Sequence, residues 1–125
     1  MGNYSKAKGR GKGGKFVLVR HDMMKSEAWR ALSTSARCVW LEIMFRYNGN
    51  NNGEIPLSCR EAGELCGISK NTAWKAMTEL QEKGFIKIGE YSSFTCKMKR
   101  ATRWIVTHEA CEGKAPTNEW RVWTL

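Results

Sequence analysis

The side chains best suited to chemistry in this sequence are amides, hydroxyls and ammonium groups within residues 69–78, SKNTAWKAMT. Lysine reaches phosphate oxygens or guanine acceptors, asparagine can pair bidentately with adenine, and serine and threonine bond phosphate. The segment holds no acid, and the first acids downstream are Glu79 and Glu82. The residues that we predict to contact a nucleic acid here are Ser69, Lys70, Asn71, Thr72, Trp74, Lys75 and Thr78.

This segment also admits plainer interpretations. The ring of Trp74 can stack on sugar or thymine methyl groups, or it can pack on a neighbouring helix or a dimer partner. Exposed lysines are commonly no more than solvated. We favour contact with a nucleic acid because the segment is free of acids.

A second basic cluster lies at residues 95–103, TCKMKRATR, and also lacks acids. It falls between two predicted strands, so we expect it at the tip of a hairpin. Such a tip can lie along the phosphate backbone, and the alternative is a solvated tip without a ligand. The predicted contacts are Lys97, Lys99, Arg100 and Arg103.

The N-terminal stretch is the third basic cluster, rich in glycine and without acids. Because glycine disfavours regular structure and like charges repel, residues 1–15 are predicted to be a flexible arm and residues 16–125 one domain. The arm either contacts DNA or serves as a solubilising tail. Its candidate contacts are Lys6, Lys8, Arg10 and Lys12.

Catalytic and metal-binding groups are sparse in the sequence. The histidines His21 and His108 are far apart, and the acids are scattered along the chain. A phosphate-binding GxxxxGK[ST] pattern is lacking. The five cysteines include no CxxC pair, which disfavours a zinc site and a disulfide framework. We therefore predict no enzyme activity, no metal, no cofactor and no small-molecule ligand.

The bulk composition agrees with a nucleic-acid partner. The 125 residues suffice for one domain, and a net charge of +9 with a pI near 9.6 suits a polyanion. No stretch is apolar over the roughly 18 residues that a membrane span needs, and no signal peptide is visible. We expect no membrane association and a cytoplasmic, nucleoid-associated protein.

The elements that would position the basic groups follow from apolar spacing and capping residues. Apolar residues recur at helical spacing over residues 36–47, which predicts a core helix opened by Ser33 or Thr34. A short helix capped by Ser26 precedes it. Before that helix, residues 16–20 are predicted to form a short extended run.

The middle of the chain predicts two helices joined by a glycine turn. Ser58 and Glu61 make a capping box, in which the serine caps a backbone amide and the glutamate reaches back. That helix ends at Gly67, and Ser69 caps the next helix, which ends at Gly84. The inward face of this second helix is predicted to hold Ala73, Ala76, Met77 and Leu80.

Three short strands complete the pattern, at residues 54–57, 85–88 and 104–107. The order of elements predicts an α+β, mainly helical fold, namely a winged helix-turn-helix with a two- to three-stranded β wing. In this arrangement the second helix of the pair enters the major groove of DNA. Apolar residues within residues 119–125 can pack on the chain's own core or on a partner, and we favour the core.

The chain resembles a family of small winged helix-turn-helix proteins of α-proteobacteria, with chromosomal, plasmid and prophage members. The resemblance covers residues 16–123 and is carried by the stretches RYNGNNNGEI, GISKNTA, ELQEKGFI, RATRWIVT and APTNEWRVW. It implies a winged-helix fold and DNA binding. More loosely, it implies repression of transfer or phage genes, or control of replication.

Together these observations predict sequence-specific binding to double-stranded DNA by a transcriptional repressor of plasmid, phage or transfer-related genes. Two alternatives stay open, a plasmid replication-control factor and a winged-helix module that binds another protein. We expect a homodimer, because palindromic half-sites mirror a two-fold axis in the protein.

Overall fold

The computed structural model of the protein describes residues 14–89 and 101–125. Within them the fold is α+β and mainly helical, as the sequence predicts. Predictions that concern residues 1–13 and 90–100 lie outside the described residues. The helices are α1 (His21–Lys25), α2 (Glu27–Arg30), α3 (Thr34–Arg46), α4 (Cys59–Cys66) and α5 (Lys70–Glu82).

The strands of the described residues form one antiparallel sheet of β1 (Ile55–Leu57), β2 (Ile86–Ile88) and β3 (Thr102–Val106). β3 lies in the middle, with β1 on one side and β2 on the other. Trp104 of β3 pairs with Ile55 of β1 and with Ile88 of β2. β1 directly precedes α4 and β2 directly follows α5. Both ends of the α4–α5 segment are therefore connected to strands of the same sheet.

Serine caps explain where four of the helices begin. In each case the Oγ atom accepts a hydrogen bond from the backbone N–H three residues ahead, at 3.0–3.1 Å. The cap satisfies a backbone donor that the first helical turn leaves free. The capping residues are Ser26, Ser33, Ser58 and Ser69. These helix starts confirm the sequence prediction, and Ser33 rather than Thr34 is the cap of α3. α1 has no side-chain cap, and no local sequence pattern indicates this helix.

The second half of the predicted capping box on α4 is wrong. Ser58 does accept the N–H of Glu61, but the Glu61 carboxylate lies 3.1 Å from Nη2 of Arg46 on α3. The carboxylate therefore joins α4 to α3 instead of closing the box. Arg46 is distant in sequence, so no local pattern indicates this ion pair.

Aromatic rings fill the core between the helices and the sheet. Trp29 meets Trp40 and Phe85 edge to face, with ring centroids 5.3 and 5.8 Å away. Trp120 stacks on Phe85 at 6.3 Å, and the fully buried Trp104 comes from the sheet. Large rings bury much apolar surface per residue, which helps a chain of this length to build a stable core.

A buried asparagine connects the loop after α3 to the end of β3. Asn52 accepts the backbone N–H of Val106 at 2.7 Å through Oδ1. Its Nδ2 atom donates to the carbonyl oxygens of Val106, Glu109 and Ala110 at 3.0–3.1 Å. Composition alone predicts only a tight loop at this point. The contacts show that the loop also fixes the chain that leaves the sheet.

The two ends of the described chain lie outside the main helices and the sheet. Residues 16–20 form neither helix nor strand, and Val17 and Val19 pack against the core. At the C-terminus a 3₁₀ helix spans Glu119–Val122. The predicted packing on the core is right for Trp120 and Trp123 and wrong for Val122 and Leu125, which are 82% and 93% exposed.

Candidate nucleic-acid interface

A tight turn joins α4 to α5. Gly67 adopts the left-handed conformation, with φ 72° and ψ 33°, which glycine reaches without a steric cost. The backbone N–H of Ile68 donates to the carbonyl oxygen of Gly63 at 2.9 Å, and the Ile68 side chain packs against the core. The turn therefore lies where the sequence predicts it and sets the angle between the two helices.

Gly63 allows α4 to approach this turn closely. A Cβ atom at this position would lie 2.8 Å from the carbonyl oxygen of Ile68 and 3.4 Å from the backbone nitrogen of Lys70. Any side chain would therefore push the start of α5 away from α4. Sequence pattern does not reveal this role, because glycine inside a helix normally signals only weak helix formation.

α5 has one buried and one exposed face. The buried face holds the predicted residues Ala73, Ala76, Met77 and Leu80. Lys70, Asn71 and Lys75 are exposed, and Trp74 is 37% exposed. These four residues form the α5 outer face, a solvent-facing surface at the start of the helix. It unites an amide, two ammonium groups and an aromatic ring.

The hydroxyl groups near this face are partly engaged within α5 itself. The Oγ atom of Ser69 accepts the N–H of Thr72 at 3.0 Å and donates to Oγ1 of Thr72 at 2.9 Å. Thr78 donates to the carbonyl oxygen of Trp74 at 2.9 Å. The protons of Ser69 and Thr78 are thus committed, and Thr72 and Thr78 are only half exposed. The lysines and Asn71 are the groups best placed to bind a ligand.

Glu79, the first acid along α5, is used inside the fold. Its carboxylate accepts the backbone N–H of Ser33 at 2.9 Å and the Ser33 hydroxyl at 2.8 Å. Lys83 lies 3.4 Å away. Ser33 caps α3, so the carboxylate sits at a helix N-terminus, where the helix dipole favours negative charge. Glu79 therefore connects α5 to α3, because its carboxylate is hydrogen-bonded to Ser33 and lies near Lys83.

Two of the predicted basic clusters lie outside the described residues. They comprise Lys97, Lys99 and Arg100 between the strands, and Lys6, Lys8, Arg10 and Lys12 near the N-terminus. β2 and β3 are antiparallel neighbours, and the N–H of Gly89 donates to the carbonyl oxygen of Arg103 at 2.7 Å. The chain therefore leaves β2 beside the point at which it enters β3.

Placing Arg103 in the basic loop is wrong. Arg103 lies inside β3, and its Nη1 atom is 2.6 Å from Oε1 of Glu54. Both side chains are more than half exposed, so solvent screens the pair and its contribution to stability is small. The strand begins earlier than predicted because Thr102 pairs with Leu57 of β1, a residue far away in sequence.

One ionisable group is buried away from the α5 outer face. His108 is 7% exposed, and its ring centroid lies 5.7 Å from that of Trp40. Burial holds the pKa of His108 below its ordinary value, although the nearby Glu109 carboxylate opposes this shift. The folded protein therefore resists protonation of this buried side chain when the pH falls.

Metal-binding clusters and membrane-spanning helices are both missing from the part of the chain that the structure describes. Within residues 14–89 and 101–125, His, Cys, Asp and Glu side chains do not gather in threes that could hold a metal ion. No helix of these ranges combines the length and the apolar character needed to cross a membrane.

Comparisons with protein-family models, with curated proteins and with solved structures give no match for this chain. The resemblance to the α-proteobacterial family therefore stays a prediction. What can be said of function rests on the α4–α5 geometry and on the groups of the α5 outer face.

Proposed function

We propose that this protein is a winged helix-turn-helix protein that binds double-stranded DNA sequence-specifically and represses transcription. The order α3, β1, α4, α5, β2, β3 and the sheet order β1-β3-β2 support this class. α4 and α5 take the roles of the helix pair, and the segment between β2 and β3 takes the role of the wing. Control of plasmid replication would use the same contacts, and the sequence bound distinguishes the two roles.

The observation that carries the proposal is the α5 outer face. Its side chains are exposed at the start of a helix whose other face is buried. In a helix-turn-helix the N-terminal part of the second helix meets base edges in the major groove. There Asn71 can pair with adenine, and Lys70 and Lys75 can reach guanine or phosphate. The N-terminal amides of α5 add attraction for phosphate.

Repression follows from this binding by simple occupancy. A protein seated on a promoter excludes the polymerase and needs no catalytic group. The sequence read by the α5 outer face decides which genes are affected. We propose plasmid, phage or transfer-related genes as the targets, on the resemblance to the α-proteobacterial family alone.

The test begins with selection of a preferred duplex from a randomised pool by the wild-type protein. Affinity for that duplex and for a scrambled one is then measured by fluorescence anisotropy at fixed salt. We expect Asn71→Ala and Lys75→Ala each to lose about 1–3 kcal/mol on the preferred duplex, the worth of a good base contact. The loss on the scrambled duplex should be smaller.

The matched control is Lys114→Ala, which removes the same charge as Lys75→Ala from another exposed site. Lys114 forms a β-bridge with Cys111, whose thiol lies 3.4 Å from the carbonyl oxygen of Asn52. Asn52 binds Val106 at the end of β3, whereas Lys75 lies on α5. Failure to select any sequence, or equal losses for all three variants, would contradict the proposal.

A further inference from the structure

The loop between α3 and β1 contains two asparagine–glycine pairs, Asn48–Gly49 and Asn52–Gly53. In such a pair the backbone nitrogen of the glycine can attack the side-chain amide of the asparagine, because glycine has no Cβ atom to hinder the approach. The two pairs are identical as dipeptides. Any difference in their reactivity therefore comes from the contacts that each pair makes in the folded protein.

The reaction is an attack within the chain followed by hydrolysis. The glycine nitrogen bonds to Cγ of the asparagine and gives up its proton, the Cγ–Nδ2 bond breaks, and ammonia leaves. Water then opens the resulting succinimide at either carbonyl group, which leaves an aspartate or an isoaspartate. Because the reacting groups belong to adjacent residues, the rate depends on how freely they can meet.

The fold protects the Asn52–Gly53 pair. Both residues are buried, and the N–H of Gly53 donates to the carbonyl oxygen of Trp104 at 3.0 Å. The Asn52 amide is fixed through both of its atoms, since Nδ2 is bonded to three carbonyl oxygens at 3.0–3.1 Å and Oδ1 to the N–H of Val106 at 2.7 Å. Attack on Cγ would break these bonds and leave buried groups without partners, which is costly.

The Asn48–Gly49 pair lacks this protection. Both residues are exposed, and in the described part of the chain neither the Gly49 N–H nor Nδ2 of Asn48 has a hydrogen-bond partner. Gly49 has φ 95°, a conformation that glycine adopts without steric cost. The nucleophile and the leaving group can therefore react without first losing a contact within the fold.

A hydrogen bond on the Asn48 side chain favours the reaction further. Its Oδ1 atom accepts the backbone N–H of Asn50 at 2.8 Å. The ring that this bond closes runs through Cγ of Asn48 and the backbone nitrogen of Gly49, so the reacting atoms belong to one small turn. Oδ1 gains negative charge when the nitrogen adds to Cγ, and the N–H of Asn50 stabilises that charge as an oxyanion-hole donor does.

Asn51 fixes the start of this turn. Its Oδ1 atom accepts the backbone N–H of Asn48 at 2.9 Å, and its Nδ2 atom donates to the carbonyl oxygen of Arg46 at 3.0 Å. Asn50 and Asn51 are each followed by an asparagine, whose Cβ atom hinders attack by the backbone nitrogen. Asn48 is therefore the asparagine of this loop that is best placed to react.

We propose that Asn48 is a site of spontaneous deamidation in the folded protein and that Asn52 is retained. Each event turns a neutral amide into a carboxylate and lowers the net charge of +9 by one. The new charge follows Tyr47, the C-cap of α3, where the helix dipole disfavours a carboxylate. The protein thus accumulates a less cationic form, whatever the α5 outer face binds.

The experiment follows both sites in one peptide. Wild-type protein is incubated at mildly alkaline pH with and without urea, and trypsin then releases residues 47–60. Mass spectrometry with electron-transfer fragmentation locates each amide that has become a carboxyl group, and a sample taken at the start gives the background from digestion. Without urea, Asn48 should react at least about tenfold faster than Asn52, because the fold holds the Asn52 amide. In urea the two rates should become similar.

Two serine variants isolate the reacting amide. Asn48→Ser removes it and keeps an oxygen that can accept the N–H of Asn50, so the fast reaction should disappear. Asn50→Ser is the matched control, because it keeps that backbone N–H and should leave the rate at Asn48 nearly unchanged. Circular dichroism confirms that both variants are folded.

Three results would overturn the proposal. They are an Asn48 that stays intact in the folded protein, equal rates at Asn48 and Asn52 without urea, and an Asn52 that stays slow in urea. None of these measurements uses DNA, so their outcome is independent of whether the α5 outer face binds a duplex.

Discussion

At the scale of single residues, the structure separates groups that can meet a ligand from groups that serve the fold. Lys70, Asn71 and Lys75 are exposed, whereas the hydroxyl protons of Ser69 and Thr78 are engaged within α5. A hydroxyl that already donates must exchange that bond before it can donate to phosphate, which reduces the gain. Specific recognition is therefore expected to depend on the amide and the lysines.

His108 leads to a prediction about stability and pH. Its pKa in the folded protein lies below the ordinary 6.5, mainly because of burial. Well above pH 6.5 the imidazole is neutral in both the folded and the unfolded state, so its burial carries no protonation penalty. As the pH falls below this value, the unfolded chain binds the proton first, so the free energy of unfolding decreases until the folded pKa is reached.

The check on His108 is urea unfolding at several pH values between neutral and mildly acidic. His108→Gln should flatten the decline on acidification, since glutamine does not titrate. His21→Gln is the control, because His21 is exposed on α1. The same slope in wild type and His108→Gln would assign the pH dependence to other groups.

At the scale of elements, the position of α5 depends on contacts with both α4 and α3. Gly63 permits a close approach of α4 to the turn before α5. Glu79 binds the capped N-terminus of α3 from the far end of α5. α5 is thus held near both ends. Its orientation relative to a groove of DNA is therefore set by residues that do not contact the ligand.

Glu79→Ala tests this positioning role. The change removes two hydrogen bonds to a carboxylate and an ion pair, so we expect a loss of stability of about 1.5–3 kcal/mol, the range for hydrogen bonds to charged groups. Affinity for the preferred duplex should also fall, with a smaller effect on a scrambled duplex. The measurements are chemical denaturation and anisotropy on the same samples at a temperature where the variant is folded.

Glu82→Ala provides the comparison, because Glu82 is an exposed acid on the same helix. Both changes remove one negative charge, so their general effect on attraction to DNA is equal. If Glu79→Ala and Glu82→Ala show the same preference for the selected duplex over the scrambled one, Glu79 has no positioning role.

At the scale of the whole molecule, the net charge of +9 makes attraction to a polyanion strong even without base contacts. Such binding releases counterions and weakens steeply with salt. The described residues offer the lysines of the α5 outer face for this purpose. We expect the basic stretches at the N-terminus and between β2 and β3 to increase this electrostatic attraction to DNA.

The salt dependence of DNA affinity measures how many cations take part. Replacing Lys70 and Lys75 together by alanine should reduce the slope of log affinity against log salt by about 0.9 for each phosphate that is no longer neutralised. Replacing Lys25 and Lys114, both exposed elsewhere, removes the same total charge and should leave the slope nearly unchanged. Equal slopes for the two double variants would show that α5 does not lie on the phosphate backbone.

Local chemistry made much of this architecture predictable. Ser58 and Ser69 cap the helices that they precede, Gly67 ends α4, and α5 buries the apolar face expected from its spacing. These features depend on hydrogen bonds within one turn and on a period of about 3.6 residues. Both features depend on residues that are close together in the sequence. The sequence therefore predicts α5 and the residues of its outer face.

Contacts between residues far apart in sequence determined the rest. Arg103 belongs to a strand because Thr102 pairs with Leu57, and Glu79 binds within the fold because Ser33 lies beside it. Leu65 is a large apolar residue of α4, yet its side chain is 51% exposed. Such outcomes depend on which surfaces meet when the chain packs, and a one-dimensional pattern does not contain that information.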